Sequence, residues 1–142
     1  MRYVKLAALA FTLLLPFGFN AYAAEGRAGG EKRVVAAIGA DGVQRAEVTG
    51  GGYYFDPEVV VVKVNVPVEL AVKKESGITP HDIVVEAPEA GIDFKVDLDE
   101  KPRTVRFTPT KAGSYVMYCS NKFLWFKSHR QRGMEGVIEV VE

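Results

Sequence analysis

The sequence predicts an all-β protein, a Greek-key antiparallel β-sandwich of about eight strands. Three observations support this prediction. Valine and other β-branched residues dominate the chain after residue 32, and they favour strands over helices. Turn-forming segments such as SGITP, APEAG and TPTKAG recur at short intervals between the apolar runs. No segment shows a convincing helical repeat of apolar residues.

The predicted strands follow one another closely along the chain. They comprise residues 33–38, 43–49, 58–64, 66–73, 81–86, 103–108, 114–119 and 136–141. The turn GADG separates the first two, and three glycines, residues 50–52, end the second. Val68, Leu70 and Val72 alternate with other residues, which predicts a strand with one buried face. Residues 92–98 and 121–128 fit neither strand nor helix clearly.

The first 23 residues have the composition of a secretory signal peptide. Arg2 and Lys5 precede an apolar run at residues 6–17, and the tripeptide AYA at 21–23 is typical of a cleavage site. The run is shorter than the roughly 20 residues of a membrane span. We expect cleavage after Ala23, a flexible leader at 24–32 and one domain at 33–142. The protein is therefore expected to be exported, for example to the periplasm.

Charge and cysteine content limit the possible function classes. The chain has 18 Lys and Arg and 18 Asp and Glu, and loss of Arg2 and Lys5 with the signal leaves 16 cations against 18 acids. This balance does not support a general nucleic-acid role, which needs many cationic contacts to phosphates. Cys119 is the single cysteine and has no disulfide partner within the chain. It is a buried apolar residue, an intermolecular link or a metal ligand.

Apart from Met117, which lies within a predicted strand, four side chains of the predicted domain carry donors for soft or borderline metals. His81 and His129 are the two histidines, Cys119 is the cysteine, and Met134 precedes the last predicted strand. Each has an ordinary explanation when taken alone, as a strand start or a core residue. Two imidazoles, a thiolate and a thioether together form the ligand set of a mononuclear copper electron-transfer site.

Three segments resemble motifs of the cupredoxins, the blue copper protein family that includes plastocyanin, azurin and auracyanin. TPHDIVV (79–85) is similar to the segment that supplies the first histidine ligand. KAGSYVMYCS (111–120) is similar to the strand that ends at the cysteine, and HRQRGMEGVIEV (129–140) resembles the closing His-x-x-x-x-Met. The resemblance covers residues 50–142 well and the earlier part only by strand count.

The resemblance implies one type 1 or type 1-like copper ion and a set of residues around it. The implied ligands are His81, Cys119, His129 and, in the axial position, Met134. It also implies a hydrogen bond between the residues that follow the first histidine and the cysteine, here Asp82 and Ser120; Asp82 stands where the family usually has Asn. Such contacts hold ligand loops together and tune the thiolate.

Asp82 is a departure with an electrostatic consequence. A carboxylate near the site favours Cu(II) and lowers the reduction potential, unless a neighbouring residue neutralises it. A solvated charge at the strand edge is the alternative role of Asp82.

The segment between Cys119 and His129 is longer than in the familiar blue copper proteins. Loop closure costs little with added length, but a fixed ligand set requires that the loop be stiff. We expect residues 123–126, FLWF, to form a turn that packs some of its rings onto the sandwich, because four exposed bulky apolar residues favour aggregation. An exposed docking patch is the alternative.

The same segment is basic, with no acid between residue 119 and Glu135. Positive charge around a redox centre steers an acidic partner towards it, whereas a solvated surface is the ordinary explanation. The candidate docking residues are Lys122, Trp125, Lys127, Arg130 and Arg132.

The predicted function is that of a small monomeric electron carrier rather than an enzyme, since a site with four protein ligands leaves no obvious position for a substrate. Donation to a terminal oxidase, or an accessory role beside one, is compatible with this function. The alternatives are a periplasmic copper carrier or chaperone, a red or open copper site in which Met134 does not bind, and a metal-free sandwich used for binding.

Overall fold

The computed structural model describes residues 32–142. The predicted signal peptide, and the predicted leader up to residue 31, lie outside the described residues. Within the described part, no helix is long and apolar enough to cross a membrane. The strands are β1 (Arg33–Val35), β2 (Ala37–Ile38), β3 (Gln44–Gly51), β4 (Tyr54–Asp56), β5 (Val59–Lys63), β6 (Val68–Lys74), β7 (His81–Ala87), β8 (Ile92–Leu98), β9 (Arg103–Phe107), β10 (Gly113–Tyr118) and β11 (Glu135–Val141).

The strands form the two sheets of a β-sandwich, as predicted. One sheet has the order β1-β5-β11-β10-β7-β8, and the other has the order β2-β3-β6-β9 with β4 added against β3. The antiparallel prediction needs correction, because β5 runs parallel to β1 and β11, and β3 runs parallel to β6. Inside-outside alternation reports which face of a strand is buried, and it carries no information on the direction of a distant partner strand.

The described residues contain eleven strands rather than about eight. The first predicted strand, 33–38, divides at Ala36, so that β1 joins one sheet and β2 the other. Residues 92–98, which the sequence left undecided, form β8 beside β7. The short strand β4 is the remaining addition.

A glycine near the end of β3 allows a close approach of side chains from the other side of the sandwich. The sequence predicted a break at residues 50–52, but β3 continues through Gly51. A Cβ at Gly50 would lie 2.7 Å from the Leu98 Cδ1 and 3.1 Å from the Met134 Cε, so only glycine leaves room for these side chains. The chain turns at Gly52 and Tyr53, which both have positive φ angles (41° and 69°).

The core lies between the sheets, and the alternation predicted for the fourth strand is confirmed. Val68, Leu70 and Val72 of β6 are buried, and they face buried residues of the other sheet such as Ile83 and Val85 of β7. Burial of aliphatic side chains of this kind supplies the main stabilising contribution to such a sandwich.

Candidate metal centre

The strand order brings the predicted donors to one end of the sandwich. β7 begins at His81, and β10 ends one residue before Cys119. Neighbouring β7 and β10 are antiparallel, so the start of the first lies beside the end of the second. Met134 immediately precedes β11, the other neighbour of β10. His129 completes the group from the loop between β10 and β11, just before a short 3-10 turn at Arg130–Arg132.

Three of the donor atoms form a small buried triangle. The Nδ1 atoms of His81 and His129 lie 3.2 Å apart, and the Cys119 Sγ lies 3.9 Å and 3.4 Å from them, respectively. The exposed fractions of His81, Cys119 and His129 are only 6%, 0% and 7%. An ion bound trigonally by two imidazoles and a thiolate, with bonds of about 2.0 to 2.3 Å, separates its donors by about 3.5 to 3.8 Å. The triangle therefore has the size that such an ion requires.

Backbone hydrogen bonds fix the segment that carries the donors. The Cys119 N–H donates to the Met134 carbonyl (3.1 Å), and the Met134 N–H donates to the His129 carbonyl (3.0 Å). The His129 N–H donates to the Asn121 carbonyl (2.9 Å), which closes the base of the long loop. These bonds, rather than packing of the aromatic residues, stiffen the loop. Met134 is fully buried, and its backbone forms hydrogen bonds with both Cys119 and His129.

Burial favours the neutral forms of both histidines and of the cysteine. Burial lowers the pKa of His81, and the nearby His129 and Lys74 lower it further. Burial also lowers the pKa of His129, with a further contribution from the Arg132 charge. Neutral imidazoles are the form that binds a metal. Burial raises the pKa of the Cys119 thiol, so a metal that binds there must displace a proton.

The sulfur atom accepts further contacts from its surroundings. The Asp82 backbone N–H lies 3.5 Å from the Cys119 Sγ, and the Asn121 side-chain amide lies 3.8 Å from it. Donors to a ligating sulfur withdraw electron density from it and orient it. Sequence reasoning missed Asn121, which is the second residue after the cysteine.

Tyr53 shields the two histidines and was also missed. Its ring packs edge-on against the His129 ring at a centroid distance of 4.9 Å and against the His81 ring at 6.3 Å. The Arg132 guanidinium lies over the Tyr53 ring, 4.7 Å from its centroid. The only sequence signal for Tyr53 was the run of glycines before it, because these glycines favour a tight turn, and the turn places Tyr53 at the end of the sandwich.

The Asp82 carboxylate is buried and bridges to the residue after Cys119. It accepts hydrogen bonds from the Ser120 N–H (2.6 Å) and from the Ser120 hydroxyl (2.5 Å). Burial acts to raise the pKa of Asp82, but the hydrogen bonds from Ser120, together with smaller contributions from Cys119 and Lys95, hold that pKa below its usual value. The carboxylate-to-hydroxyl contact expected for these two residues is present.

Lys95 supplies the neighbouring positive charge that the sequence left open. Its Nζ lies 3.4 Å from the Asp82 Oδ2 and donates to the Ser120 hydroxyl at 2.9 Å. Lys95 lies in β8, which pairs with β7, and Lys95 is directly opposite Val84. An ion pair with Lys95 offsets the effect of the Asp82 charge on the site.

The expected packing of residues 123–126 onto the sandwich is wrong. Phe123, Leu124, Trp125 and Phe126 are 68%, 60%, 80% and 49% exposed. The expected turn is present, closed by a 3.0 Å hydrogen bond from the Phe126 N–H to the Phe123 carbonyl. The loop points away from the sheets, so its rings stack on one another instead of on the core.

The candidate docking residues divide into separate surfaces. A cleft of about 460 Å³ opens beside His129, and Lys122, Lys127 and Arg132 lie along it together with Phe123 and Phe126. Arg130 belongs elsewhere.

Arg130 faces Tyr118, whose ring centroid lies 4.4 Å from the guanidinium, and it pairs with Glu135 at 2.5 Å. Its charge is therefore compensated. Trp125 is at the outer end of the loop and does not line the cleft.

Comparison with known proteins identifies solved structures with a similar sandwich. Scans against protein-family models and curated proteins find no match. Solved structures do match. The metal-binding domain of the Streptococcus pneumoniae Cu(I)-exporting P-type ATPase CopA is 17% identical, with a TM-score of 0.62, and the match covers 80% of this chain and 100% of that domain.

Two further structures show the same likeness. A copper-binding protein in its apo form is 23% identical, with a TM-score of 0.58, covering 79% of this chain and all of that one. Auracyanin from Roseiflexus castenholzii is 20% identical, with a TM-score of 0.55, covering 73% of this chain and all of that one. The protein therefore has a cupredoxin-like fold, and its cluster of His81, Cys119 and His129 could hold a metal ion.

Proposed function

We propose that the protein is an exported mononuclear copper protein that carries single electrons. His81, Cys119 and His129 would hold the ion, and Met134 would be its axial ligand. The observation that carries this proposal is the buried triangle of donor atoms, 3.2 to 3.9 Å on a side. Two imidazoles and a soft thiolate are the donors that copper electron-transfer sites use.

Bound copper supplies a one-electron couple, Cu(II)/Cu(I). The chain contributes rigidity, because the backbone bonds among Cys119, His129 and Met134 fix the donors before any metal arrives. Preformed donors move little when the charge of an ion changes, which favours rapid electron transfer. Burial of the donors also keeps the thiolate away from external oxidants.

We infer that electrons enter and leave at the cleft beside His129. This is where a ligand residue lies against the surface, between Lys122, Lys127 and Arg132. A redox partner with an acidic surface suits these cations, and a terminal oxidase or its donor belongs to this class. The rate of electron transfer to such a partner should fall as salt concentration rises.

The test is to add Cu(II) to the purified, metal-free protein and record its visible and electron paramagnetic resonance spectra. An intense thiolate-to-copper absorption band and a reversible one-electron couple are expected. Cys119→Ser should abolish the band. A wild-type protein that binds copper without the band, or that shows no reversible couple, contradicts the proposal.

A matched pair of methionine substitutions tests the axial ligand. Met117 and Met134 are both fully buried, and the Met134 backbone forms hydrogen bonds with Cys119 and His129, whereas Met117 lies within β10. Met134→Leu should change the resonance spectrum of Cu(II), whereas Met117→Leu should leave it as in the wild type. No effect from Met134→Leu would indicate an open or red site that lacks the thioether, and equal effects of the two substitutions would show that the spectrum responds to core packing rather than to ligation by Met134.

Copper transport is the second candidate function. The favouring observation is the likeness to a metal-binding domain whose structure contains Cu(I). Under this alternative, Cu(I) would pass quickly to a chelator or acceptor protein. Slow loss of Cu(I) combined with fast electron exchange supports the electron carrier, and the reverse pattern supports the transporter.

A further inference from the structure

The tip of the loop between Cys119 and His129 is an exposed apolar surface, and Leu124 and Trp125 of this tip lie outside the cleft assigned to electron transfer. The tip consists of Phe123, Leu124, Trp125 and Phe126, all about half exposed or more. Soluble monomers rarely expose a contiguous apolar patch of this kind, and such patches mark contact with a membrane or another protein.

The tip is a built structure rather than a loose segment. The hydrogen bond between His129 and Asn121 closes the loop base. Leu124 has a φ of 49°, a left-handed conformation that is unfavourable for a branched residue. The rings of Phe123 and Trp125 stack against Phe126 with centroid distances of 6.2 Å and 5.8 Å. The loop therefore holds its apolar side chains outward in a fixed arrangement.

Lysines flank the tip on both sides. Lys122 precedes it and Lys127 follows it, and both are exposed. Among residues 32–142, neither lysine has a carboxylate within ion-pair distance, unlike Arg130, which pairs with Glu135. Protein interfaces are depleted in lysine. At a bilayer surface, by contrast, Trp and Phe lie at headgroup level while lysines extend along them to reach phosphates.

We propose that the loop tip inserts into the headgroup region of a membrane that contains anionic phospholipid, with Lys122 and Lys127 against the lipid phosphates. This function goes beyond electron transfer and requires no copper. Lys122 and Lys127 also line the cleft beside His129, so membrane binding brings this cleft, with Arg132 as its remaining cation, close to a membrane-bound redox partner. The apolar tip and the two cations supply complementary contributions to binding.

Trp125 is the only tryptophan in the sequence, so its fluorescence reports directly on the tip. The metal-free protein, secreted and processed by its host, is mixed with phosphatidylcholine vesicles containing about 30% phosphatidylglycerol, chosen as a typical anionic fraction. We expect a blue shift of the emission and co-sedimentation of the protein. Vesicles of phosphatidylcholine alone should bind much less protein.

Substitutions separate the two contributions. Lys122→Gln and Lys127→Gln should each lower the partition coefficient about fivefold, since one lysine near an anionic surface contributes about that factor. Leu124→Ser should lower it further, without a change in melting temperature, because the side chain is exposed. Ile38→Ser and Lys111→Gln, exposed residues outside the loop, are the matched controls and should bind like the wild type.

Three results would overturn the proposal. The first is an unchanged Trp125 emission, with the protein left in the supernatant of anionic vesicles. The second is equal loss of binding in the loop variants and in the Ile38 and Lys111 controls. The third is normal vesicle binding by Leu124→Ser together with slowed electron transfer to an acidic redox protein, which would make the tip a protein-docking surface.

Discussion

The contact between Asp82 and Ser120 gives a sharp test of how the two ligand strands are joined. Asp82→Ala removes two short hydrogen bonds, of 2.6 and 2.5 Å, that Ser120 donates to a buried carboxylate. Such charge-assisted bonds contribute about 1.5 to 3 kcal/mol each, and the relieved cost of burying a carboxylate offsets part of this. We expect a net loss of about 2 to 3 kcal/mol in the free energy of unfolding.

Asp82→Asn should cost less than about 1 kcal/mol, because the amide oxygen still accepts from the Ser120 N–H and the amide N–H can donate to the hydroxyl. Urea unfolding of the metal-free protein measures both changes, and the alanine variant should lower the midpoint by about 1 to 2 M. Asp97→Ala, an exposed acid opposite Asp82 on β8, is the control. An alanine variant as stable as the wild type, or an asparagine variant equally destabilised, would refute the reasoning.

Three further predictions concern charge and packing. Lys95→Met should lower the reduction potential of the copper-loaded protein, because the Asp82 charge is no longer offset; in an Asp82→Asn background, voltammetry should show little effect. Gly136→Ala should lower the melting temperature, at a cost of about 1 to 3 kcal/mol, because its Cβ would lie 2.4 Å from the methyl of a buried methionine and 2.6 Å from a backbone carbonyl oxygen. Hydrogen bonds from Arg106 and Arg45 lower the pKa of Glu69. The stabilising contribution of the Glu69 carboxylate is therefore present above its unfolded-state pKa, and it is lost as pH falls through its folded-state pKa. Glu69→Gln should therefore be less stable than the wild type at neutral pH and equally stable in strong acid, as measured by unfolding at several pH values.

Local patterns in the sequence predicted the sandwich and the donor set. The alternation of Val68, Leu70 and Val72 depends on neighbouring residues, and each is buried as expected. His81, Cys119 and His129 stood out because the chain has no other histidine or cysteine. Because these residue types are so scarce in the sequence, they could be proposed as one donor set before the structure was known.

The features that the sequence did not predict depend on the pairing of particular strands and on the direction of a loop. Lys95 reaches Asp82 only because β7 and β8 pair in one particular register, and the sequence around Lys95 is otherwise an acidic stretch. The exposure of Phe123 and Trp125 depends on the direction of the loop, whose base is closed by the hydrogen bond from the His129 N–H to the Asn121 carbonyl. Apolar character alone predicts burial and does not reveal a side chain that faces away from the core.

The bond that joins Asn121 to His129 divides the long loop into a fixed base and an outer portion. Cys119 and His129 belong to the base and both form backbone hydrogen bonds with Met134, while residues 122–127 lie outside it. The outer portion can therefore be shortened, lengthened or exchanged without moving a donor atom. The fold therefore places the metal donors and the surface that contacts other molecules in separate parts of the loop, so the two can change independently in evolution or by design.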